Sequence, residues 1–244
     1  MILNRNPSAL GRRGHDTALD RGRPERVRGT ATGWLLGLRG DRGFTAATGV
    51  WVDQSGSGNT TSPQSATRPS ASTFNGKASV LWPNGVGQAL LTPSMSLGLF
   101  SIGMTFKDSA AGYVCVHATD AGTDGGYFYT DTTTTNGYAR GSVLSDKKYT
   151  AGLKDSVARS AVWTFGGTTA TNLLYLNGAL ASETTNTGND PGAGPTAGAM
   201  YLAGSQASTG QSPLNLQSFD VFAHVLSVSE MAKYTNYARA LGGV

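Results

Sequence analysis

The chain of 244 residues contains 34 glycines and only 14% charged residues, a composition typical of short strands joined by tight turns rather than of long helices. Its single cysteine excludes an internal disulfide bond, and no apolar run approaches the roughly 20 residues that a membrane-spanning helix needs. Residues 1–30 carry seven arginines and three acidic residues, so this segment accounts for the whole net charge of +4.

The first 30 residues show neither helical nor strand periodicity, and they hold almost nothing that folding would bury. We therefore expect an extended basic arm that is disordered when alone in water. Three roles are open for this arm: an unbound tail, an anchor that folds onto neighbouring proteins, or a segment that contacts nucleic acid. The nucleic-acid role is disfavoured because acidic residues are interspersed among the arginines and no aromatic residues lie between them. Arginine binds carboxylates and phosphates in bidentate geometry. We expect an anchor formed by Arg12, Arg13, Arg21, Arg23, Arg26 and Arg28.

The body of the chain, residues 31–244, alternates short apolar runs with turn residues, and this pattern predicts one all-β domain. Four Asn-Gly pairs supply the positive φ values of type I′ turns, at 75–76, 84–85, 136–137 and 177–178. The predicted strands are 34–38, 50–52, 78–82, 87–92, 98–106, 112–118, 126–130, 137–144, 160–166, 172–176, 199–203 and 216–223. The segment 183–198, rich in Thr, Gly, Asn and Pro, predicts a long surface loop.

One helix is predicted at the C-terminal end. Ser227 and Glu230 have the spacing of a capping box, in which each side chain accepts a hydrogen bond from the other residue's backbone. A single apolar stripe follows at helical spacing, formed by Met231, Tyr234, Ala238 and Leu241. A Gly-Gly pair ends the helix.

Three segments together resemble a known superfamily. Leu36–Phe44 precedes a Trp-x-Asp-x-Ser-Gly-x-Gly-Asn element in Val50–Asn59, Arg68–Leu81 forms the second segment, and Leu174–Gly178 pairs with the closing run Phe219–Leu226. In order and spacing they resemble the laminin-G-like branch of the concanavalin A-like lectin/glucanase superfamily. The resemblance implies a two-sheet antiparallel jelly-roll sandwich that binds glycans or protein surfaces, sometimes with Ca²⁺, or that hydrolyses glycosides.

The residues of the Trp-x-Asp element have a structural interpretation of their own. Trp51 lies between two valines, which predicts that it packs in the core. Asp53, Ser55 and Asn59 are suited to accept or donate hydrogen bonds at the backbone of the turn. We expect these three residues to stabilise the turn rather than to bind a ligand.

Hydrolysis on this fold needs two carboxylates that face each other across the scissile bond. Catalytic relatives carry them in a Glu-x-Asp-x-x-Glu motif, which is missing here, and the only glutamates are Glu25, Glu183 and Glu230. The three histidines show no metal-ligand spacing; we expect His224, in the last strand, to be structural. We therefore expect a non-enzymatic protein with no catalytic residue and no resident metal.

A candidate ligand loop follows residue 118. Asp120 and Asp124 offer oxygen ligands to Ca²⁺, although their spacing is not that of an EF-hand, and a solvated hairpin turn is the alternative. Tyr127 and Tyr129 share a strand face by alternation, so they either stack on a sugar or pack within the sheet. Apart from Ca²⁺ at this loop, we expect no cofactor.

The leading hypothesis combines the fold with the arm. Laminin-G-like domains usually act outside cells, whereas residues 1–7 lack the apolar core of a secretory signal. A virion protein of a tailed bacteriophage, assembled in the host cytoplasm and released by lysis, satisfies both conditions. The arm would anchor it to capsid or tail proteins in a homo-oligomeric assembly, and the jelly roll would decorate the particle or bind host glycans. We expect no membrane or nucleic-acid partner. The alternatives are a carbohydrate-binding module of a non-viral surface protein and a glycoside hydrolase.

Overall fold

The protein's structure, a computed structural model, describes residues 33–83, 89–108, 112–118, 125–130, 135–140, 144–149, 156–186, 197–203 and 213–244. In chain order, the strands within these ranges are β1 (Trp34–Arg39), β2 (Phe44–Thr45), β3 (Val50–Trp51), β4 (Ser62–Pro63), β5 (Ser70–Phe74), β6 (Lys77–Leu81), β7 (Leu90–Leu91), β8 (Met95–Ser96), β9 (Phe100–Asp108), β10 (Gly112–Ala118), β11 (Gly125–Thr130), β12 (Thr135–Arg140), β13 (Leu144–Tyr149), β14 (Arg159–Phe165), β15 (Leu174–Leu176), β16 (Ala179–Leu180), β17 (Glu183–Asn186), β18 (Ala197–Leu202) and β19 (Leu214–Phe222). Helix α1 (Val228–Gly242) follows the last strand, and a 3-10 turn lies at Thr169–Thr171.

Two large sheets form the domain. Sheet I has the order β16-β15-β14-β9-β19-β6-β5, with β1 beside β19, and sheet II has the order β17-β13-β12-β11-β10-β18-β7-β4, with β8 beside β18. β2 and β3 form a separate hairpin. The pairings of both sheets are antiparallel, as in the β9–β19 and β10–β11 ladders. The all-β, two-sheet antiparallel jelly-roll sandwich predicted from the sequence is therefore confirmed.

The main hydrophobic core lies between the two sheets. Alternate residues of the central strands of sheet I point into it, among them Met104 and Trp163, and sheet II contributes Met200 and Leu202. Full burial of a large apolar side chain stabilises the fold by about 1.5–3 kcal/mol. Trp51 is fully buried in this core, which confirms its predicted place.

Helix α1 covers the outer face of sheet I. Three successive outward-facing residues of β9 are small, namely Ser101, Gly103 and Thr105, and they leave room for the helix. A Cβ atom on Gly103 would lie 2.3 Å from the ring of Tyr234, so only glycine lets that ring rest on the strand. The Thr105 hydroxyl donates a hydrogen bond to the carbonyl of Ala238, at 3.1 Å. Sheet I is thus covered on both faces over its central strands.

The helix boundaries follow the predicted capping box. The Glu230 amide donates to the Ser227 hydroxyl at 3.3 Å, and the Ser227 amide donates to the Glu230 carboxylate at 2.8 Å. Gly243 ends the helix in the left-handed region with φ 64°. Of the predicted apolar stripe, Met231, Tyr234 and Ala238 are buried, whereas Leu241 is half-buried at the rim of a cleft described below.

Two of the four Asn-Gly predictions are confirmed and one is wrong. Asn75 and Gly76 turn the chain from β5 to β6 with φ values of 48° and 69°, and Asn177 and Gly178 join β15 to β16. The pair at 136–137 lies inside β12, where it is hydrogen-bonded between β11 and β13. The pair at 84–85 lies outside the described residues. An Asn-Gly pair permits a turn, but flanking ladders decide whether the chain turns there.

The predicted loop over 183–198 is also partly wrong. Residues 183–186 form β17, which pairs with β13, and β18 begins at residue 197. Threonine-rich sequence fits a half-buried strand once a neighbouring edge is available. Other short or polar strands, including β4, β5, β8 and β13, also lack the apolar runs used to predict strands. His224 lies two residues beyond β19 rather than within it.

Removing the helix cap should destabilise the protein. We expect Ser227→Ala to lower the free energy of unfolding by about 0.5–2 kcal/mol, because the Glu230 amide loses its acceptor. Ser229→Ala, at an exposed helical position, is the matched control and should have no destabilising effect. Urea denaturation of both variants measures this; equal losses would contradict the role of the cap.

Candidate functional site

The residues singled out in the sequence fall mostly outside the described part of the chain. The six anchor arginines precede residue 33, and Asp120 and Asp124 lie in the undescribed segment before β11. Tyr127 and Tyr129 lie in β11, where Tyr127 pairs with Val116 in register. The anchor and the glycan or calcium loop therefore stay predictions.

The described ranges contain neither a candidate metal-binding cluster nor a candidate membrane-spanning helix. They contain no group of three or more His, Cys, Asp or Glu residues placed to hold a metal ion. No helix within them has the length and apolar character needed to cross a membrane.

The loop of residues 53–59 is fastened to the outer edge of β1 by its own side chains. One oxygen of Asp53 accepts hydrogen bonds from the amides of Gly37 and Ser55, at 2.9 and 2.8 Å. The other oxygen accepts from the amide of Asn59 at 3.0 Å. The Asn59 side-chain amide then donates to the carbonyl of Leu35 at 2.7 Å. The structural role expected of Asp53, Ser55 and Asn59 is confirmed.

These contacts close a strand edge that would otherwise face solvent. Among the strands that the structure describes, β1 pairs with β19 alone, along one of its edges. On the other side, the Gln54 amide donates to the Gly37 carbonyl at 2.7 Å and the Ser57 hydroxyl donates to the Trp34 carbonyl at 3.2 Å. An open edge is a template for pairing with another chain, so the loop protects the domain from edge-to-edge association.

A fully buried carboxylate joins β19, β1 and α1. Asp220 of β19 is inaccessible to solvent. It accepts hydrogen bonds from the Trp34 indole Nε1 and the Arg39 Nη2, both at 2.9 Å, and from the Tyr234 hydroxyl. Arg39 also lies between the rings of Trp34 and Tyr237, 5.8 and 5.9 Å from their centroids. Sequence reasoning missed this cluster; its signal was one aspartate inside an apolar closing strand.

Burial shifts the ionisation of all three titratable groups in this cluster. Burial raises the pKa of the Asp220 carboxyl, and its hydrogen-bonded contact with Arg39 opposes that rise. Burial, the largest single effect, lowers the pKa of the Arg39 guanidinium, but the charges of Asp220, Tyr234 and Tyr237 and the hydrogen bond to Asp220 together hold that pKa above its ordinary value. Burial, followed by the charge of Asp220, raises the pKa of Tyr234 well above its ordinary value. Arg39 and Asp220 therefore act as a structural ion pair, in which the Asp220 carboxylate is inaccessible to solvent.

A cleft opens beside this cluster, between the last turn of α1 and the outer face of sheet I. Its volume is about 230 Å³, and it is lined by Arg39, Asp41, Lys77, Ala78, Gln217, Ala240 and Leu241. Arg39 forms part of the floor, while Asp41 and Lys77 stand exposed at the mouth.

Gln217 brings a hydrogen-bonding group to the cleft that its protein neighbours use only in part. The side chain is 7% exposed, and its Nε2 donates to the Leu241 carbonyl at 2.9 Å. Its Oε1 is buried and accepts no hydrogen bond from any residue that the structure describes. Buried polar atoms are rarely left without a donor, so Gln217 brings an unsatisfied acceptor to the lining of the cleft.

Solved structures share this fold at low sequence identity. Domain 4 of the extracellular arabinanase AbnA from Geobacillus stearothermophilus, in complex with arabinotriose, has 11% identity and a TM-score of 0.62, over 83% of this chain and 98% of that domain. Botulinum neurotoxin type C, whose cell entry depends on interaction with two ganglioside molecules, has 12% identity and a TM-score of 0.60, over 85% of this chain and 52% of that one. The Trypanosoma rangeli sialidase in complex with sialic acid has 14% identity and a TM-score of 0.59, over 85% of this chain and 33% of the sialidase chain.

The chain spans about half of the neurotoxin chain and a third of the sialidase chain, but nearly all of the arabinanase domain. No protein-family model and no curated protein sequence matches it. At these identities the likeness establishes the fold alone: the chain is a β-sandwich like those in the arabinanase domain, the neurotoxin and the sialidase.

Opening the β1 edge should cost stability and promote association. We expect Asp53→Ala to lower the free energy of unfolding by about 2–4 kcal/mol, because hydrogen bonds to a charged group contribute about 1.5–3 kcal/mol each and are not additive. Asp41→Ala is the control, because Asp41 is exposed and its ion-pair partner among the described residues is Arg42, at 3.2 Å. Urea denaturation and light scattering measure both effects. A stable, monodisperse Asp53→Ala variant would contradict the role of the loop.

Removing the buried carboxylate should destabilise the protein more than removing the pair. Asp220→Ala leaves Arg39 as an unpaired buried cation, and we expect a loss of about 3–5 kcal/mol in the free energy of unfolding. Adding Arg39→Met removes that cation and should restore part of the loss. Chemical denaturation of the two single variants and the double variant gives the coupling energy; simple additivity would refute the ion-pair interpretation.

Proposed function

We propose that this protein is a non-enzymatic glycan-binding domain carried on the surface of a larger assembly. The observation that supports it best is the likeness to the arabinotriose-bound arabinanase domain, because this chain covers nearly all of that domain. The fold alone does not determine a ligand, but it offers a rigid body on which a sugar site is readily formed.

Two aspartates, Asp53 and Asp220, are occupied by structural hydrogen bonds, and this favours binding over hydrolysis. Asp220 is enclosed by three donors, and Asp53 is used within its own loop. A glycosidase needs one carboxyl group to protonate the leaving oxygen and a second on the other side of the sugar. Neither aspartate is therefore available as the acid or the second carboxylate of a glycosidase.

We further propose that the arm anchors the domain to capsid or tail proteins of a bacteriophage particle. The support is the charge distribution: the arm carries the whole net charge and all of its basic residues are arginines, whereas the body is neutral and completes its own core. A segment that orders only on binding is able to wrap a large partner surface. Homo-oligomers would then arise from the symmetry of the particle.

Glycan binding is tested with the purified full-length chain on a glycan array, followed by calorimetry on each positive glycan. We expect selective binding to a small set of related glycans, without release of reducing sugar. Silence across a diverse array would contradict a glycan-binding domain and favour a purely structural role. Sugar release that disappears on substitution of one aspartate would support the glycosidase instead.

The anchor is tested by replacing arm arginines with glutamine in a particle that assembles with this protein. The multiple variant carries Arg→Gln at Arg12, Arg13, Arg21, Arg23, Arg26 and Arg28. We expect at least a tenfold loss of incorporation with no change in thermal stability, because the body folds without the arm. The matched Arg→Lys variant keeps the charge but loses bidentate geometry, and it should incorporate at an intermediate level. Full incorporation of the glutamine variant would refute the anchor and leave a non-viral carbohydrate-binding module as the better hypothesis.

A further inference from the structure

We propose that the cleft beneath the last turn of α1 binds one neutral sugar residue at the end of a glycan. The proposal rests on glycan binding as the function, and it names a site and a ligand class for it. The site lies on the helix-covered side of sheet I, whereas β11, which contains Tyr127 and Tyr129, belongs to sheet II.

The size of the cleft sets the size of the ligand. Its volume of about 230 Å³ lies below the range of about 300–1,000 Å³ that drug-sized ligands occupy. An oligosaccharide therefore does not fit inside, whereas a single ring with its hydroxyl groups does. The rest of the glycan would extend past Asp41 and Lys77 into solvent.

The charged groups that line the cleft have both signs, and this favours a neutral ligand. Arg39 forms part of the floor, where Asp220 pairs with it at 2.9 Å. At the mouth, the exposed Lys77 and Asp41 carry opposite charges, and Asp41 also pairs with Arg42 at 3.2 Å. An anionic sugar such as sialic acid would meet the like charge of Asp41 and would lose hydration on entry.

The hydrogen-bonding groups match sugar hydroxyls, which both donate and accept. The buried Oε1 of Gln217 needs a donor, the carboxylate of Asp41 accepts, and the ammonium of Lys77 donates. Apolar contact for the C–H face of the ring comes from Ala78, Ala240 and Leu241. Specific sites combine such an apolar lining with a few convergent polar groups.

The walls of the cleft are fixed before any ligand arrives. A Cβ atom on Gly40 would lie 2.3 Å from the carbonyl oxygen of Ala78, so β1 and β6 are in close backbone contact at this end. Close to the lining residues Lys77 and Leu241 in the chain, the Asn75 side-chain amide donates to the carbonyl of Gly243 at 3.3 Å, which ties the β5–β6 turn to the end of α1. A preformed site avoids the entropy cost of ordering on binding.

The test uses the full-length chain and free monosaccharides as probes: glucose, galactose, mannose, N-acetylglucosamine and arabinose, with sialic acid as the anionic comparison. Saturation-transfer NMR detects binding and its titration gives Kd, which for a single residue should be near the millimolar range. We expect at least one neutral sugar to bind more tightly than sialic acid. We also expect its Kd to change less than about twofold between low and high salt, since screening weakens only charge-based attraction.

Two variants address the site directly. Ala240→Trp fills the mouth from an exposed position on the last helical turn, and it should weaken binding at least tenfold. Gln217→Met removes the buried acceptor at similar size and should weaken binding about fivefold to fiftyfold. The matched control is Lys233→Trp, which places the same side chain at an exposed helical position outside the cleft and should leave Kd unchanged. Thermal denaturation shows whether each variant is folded, and Ala240→Trp suffices if Gln217→Met does not fold.

The outcomes separate this site from the function on which it rests. If the wild type binds glycans on the array but Ala240→Trp binds them equally well, the site lies elsewhere and this inference is overturned while glycan binding stands. If sialic acid binds more tightly than every neutral sugar, the ligand class is wrong. If the wild type binds neither array glycans nor monosaccharides, both proposals fail together.

Discussion

The buried carboxylate of Asp220 is the constraint on which the arrangement of this domain depends. An ionised group away from water is stable only when its lone pairs are occupied and its charge is paired. Here the donors come from Trp34, Arg39 and Tyr234, which lie on the first strand and on the C-terminal helix. The requirement to satisfy one side chain therefore fixes the relative positions of β1, β19 and α1. Apolar packing alone, which has no direction, would permit several helix placements.

The same constraint shapes the cleft. Because Asp220 accepts a hydrogen bond from the guanidinium of Arg39 on the buried side, the arginine side chain forms part of the floor of the cleft and does not extend into solvent. The aromatic rings of Trp34 and Tyr237 confine it further. Gln217, three residues before Asp220 on the same strand, then meets the end of the helix rather than its middle. The cleft is thus a consequence of where the buried ion pair places α1 along the sheet.

The sequence allowed prediction of the fold class, the capped helix and two of the turns, because each depends on residues close together in the chain. The capping box spans four residues, and Asn177-Gly178 lies between two apolar runs. The pairing of Arg39 with Asp220 joins residues 181 positions apart, and no local pattern indicates it. Gln217 was likewise hidden, since its significance lies in one atom that lacks a donor among the described residues. Asn136-Gly137 was misjudged because its ladders to β11 and β13 override the local turn preference.

The two edges of β1 explain how an arm could work as an anchor without weakening the body. The arm leads directly into β1, so any force on it acts first on that strand. β1 resists on one side through its ladder to β19, from Trp34 to Arg39, and on the other through Asp53 and Asn59. Trp34 and Arg39, near its two ends, are also bonded to the buried Asp220. Because β1 is hydrogen-bonded along both edges and through side chains to Asp220, a force on the arm is distributed over the core and does not separate β1 from the sheet. A surface domain tethered through its first strand requires this.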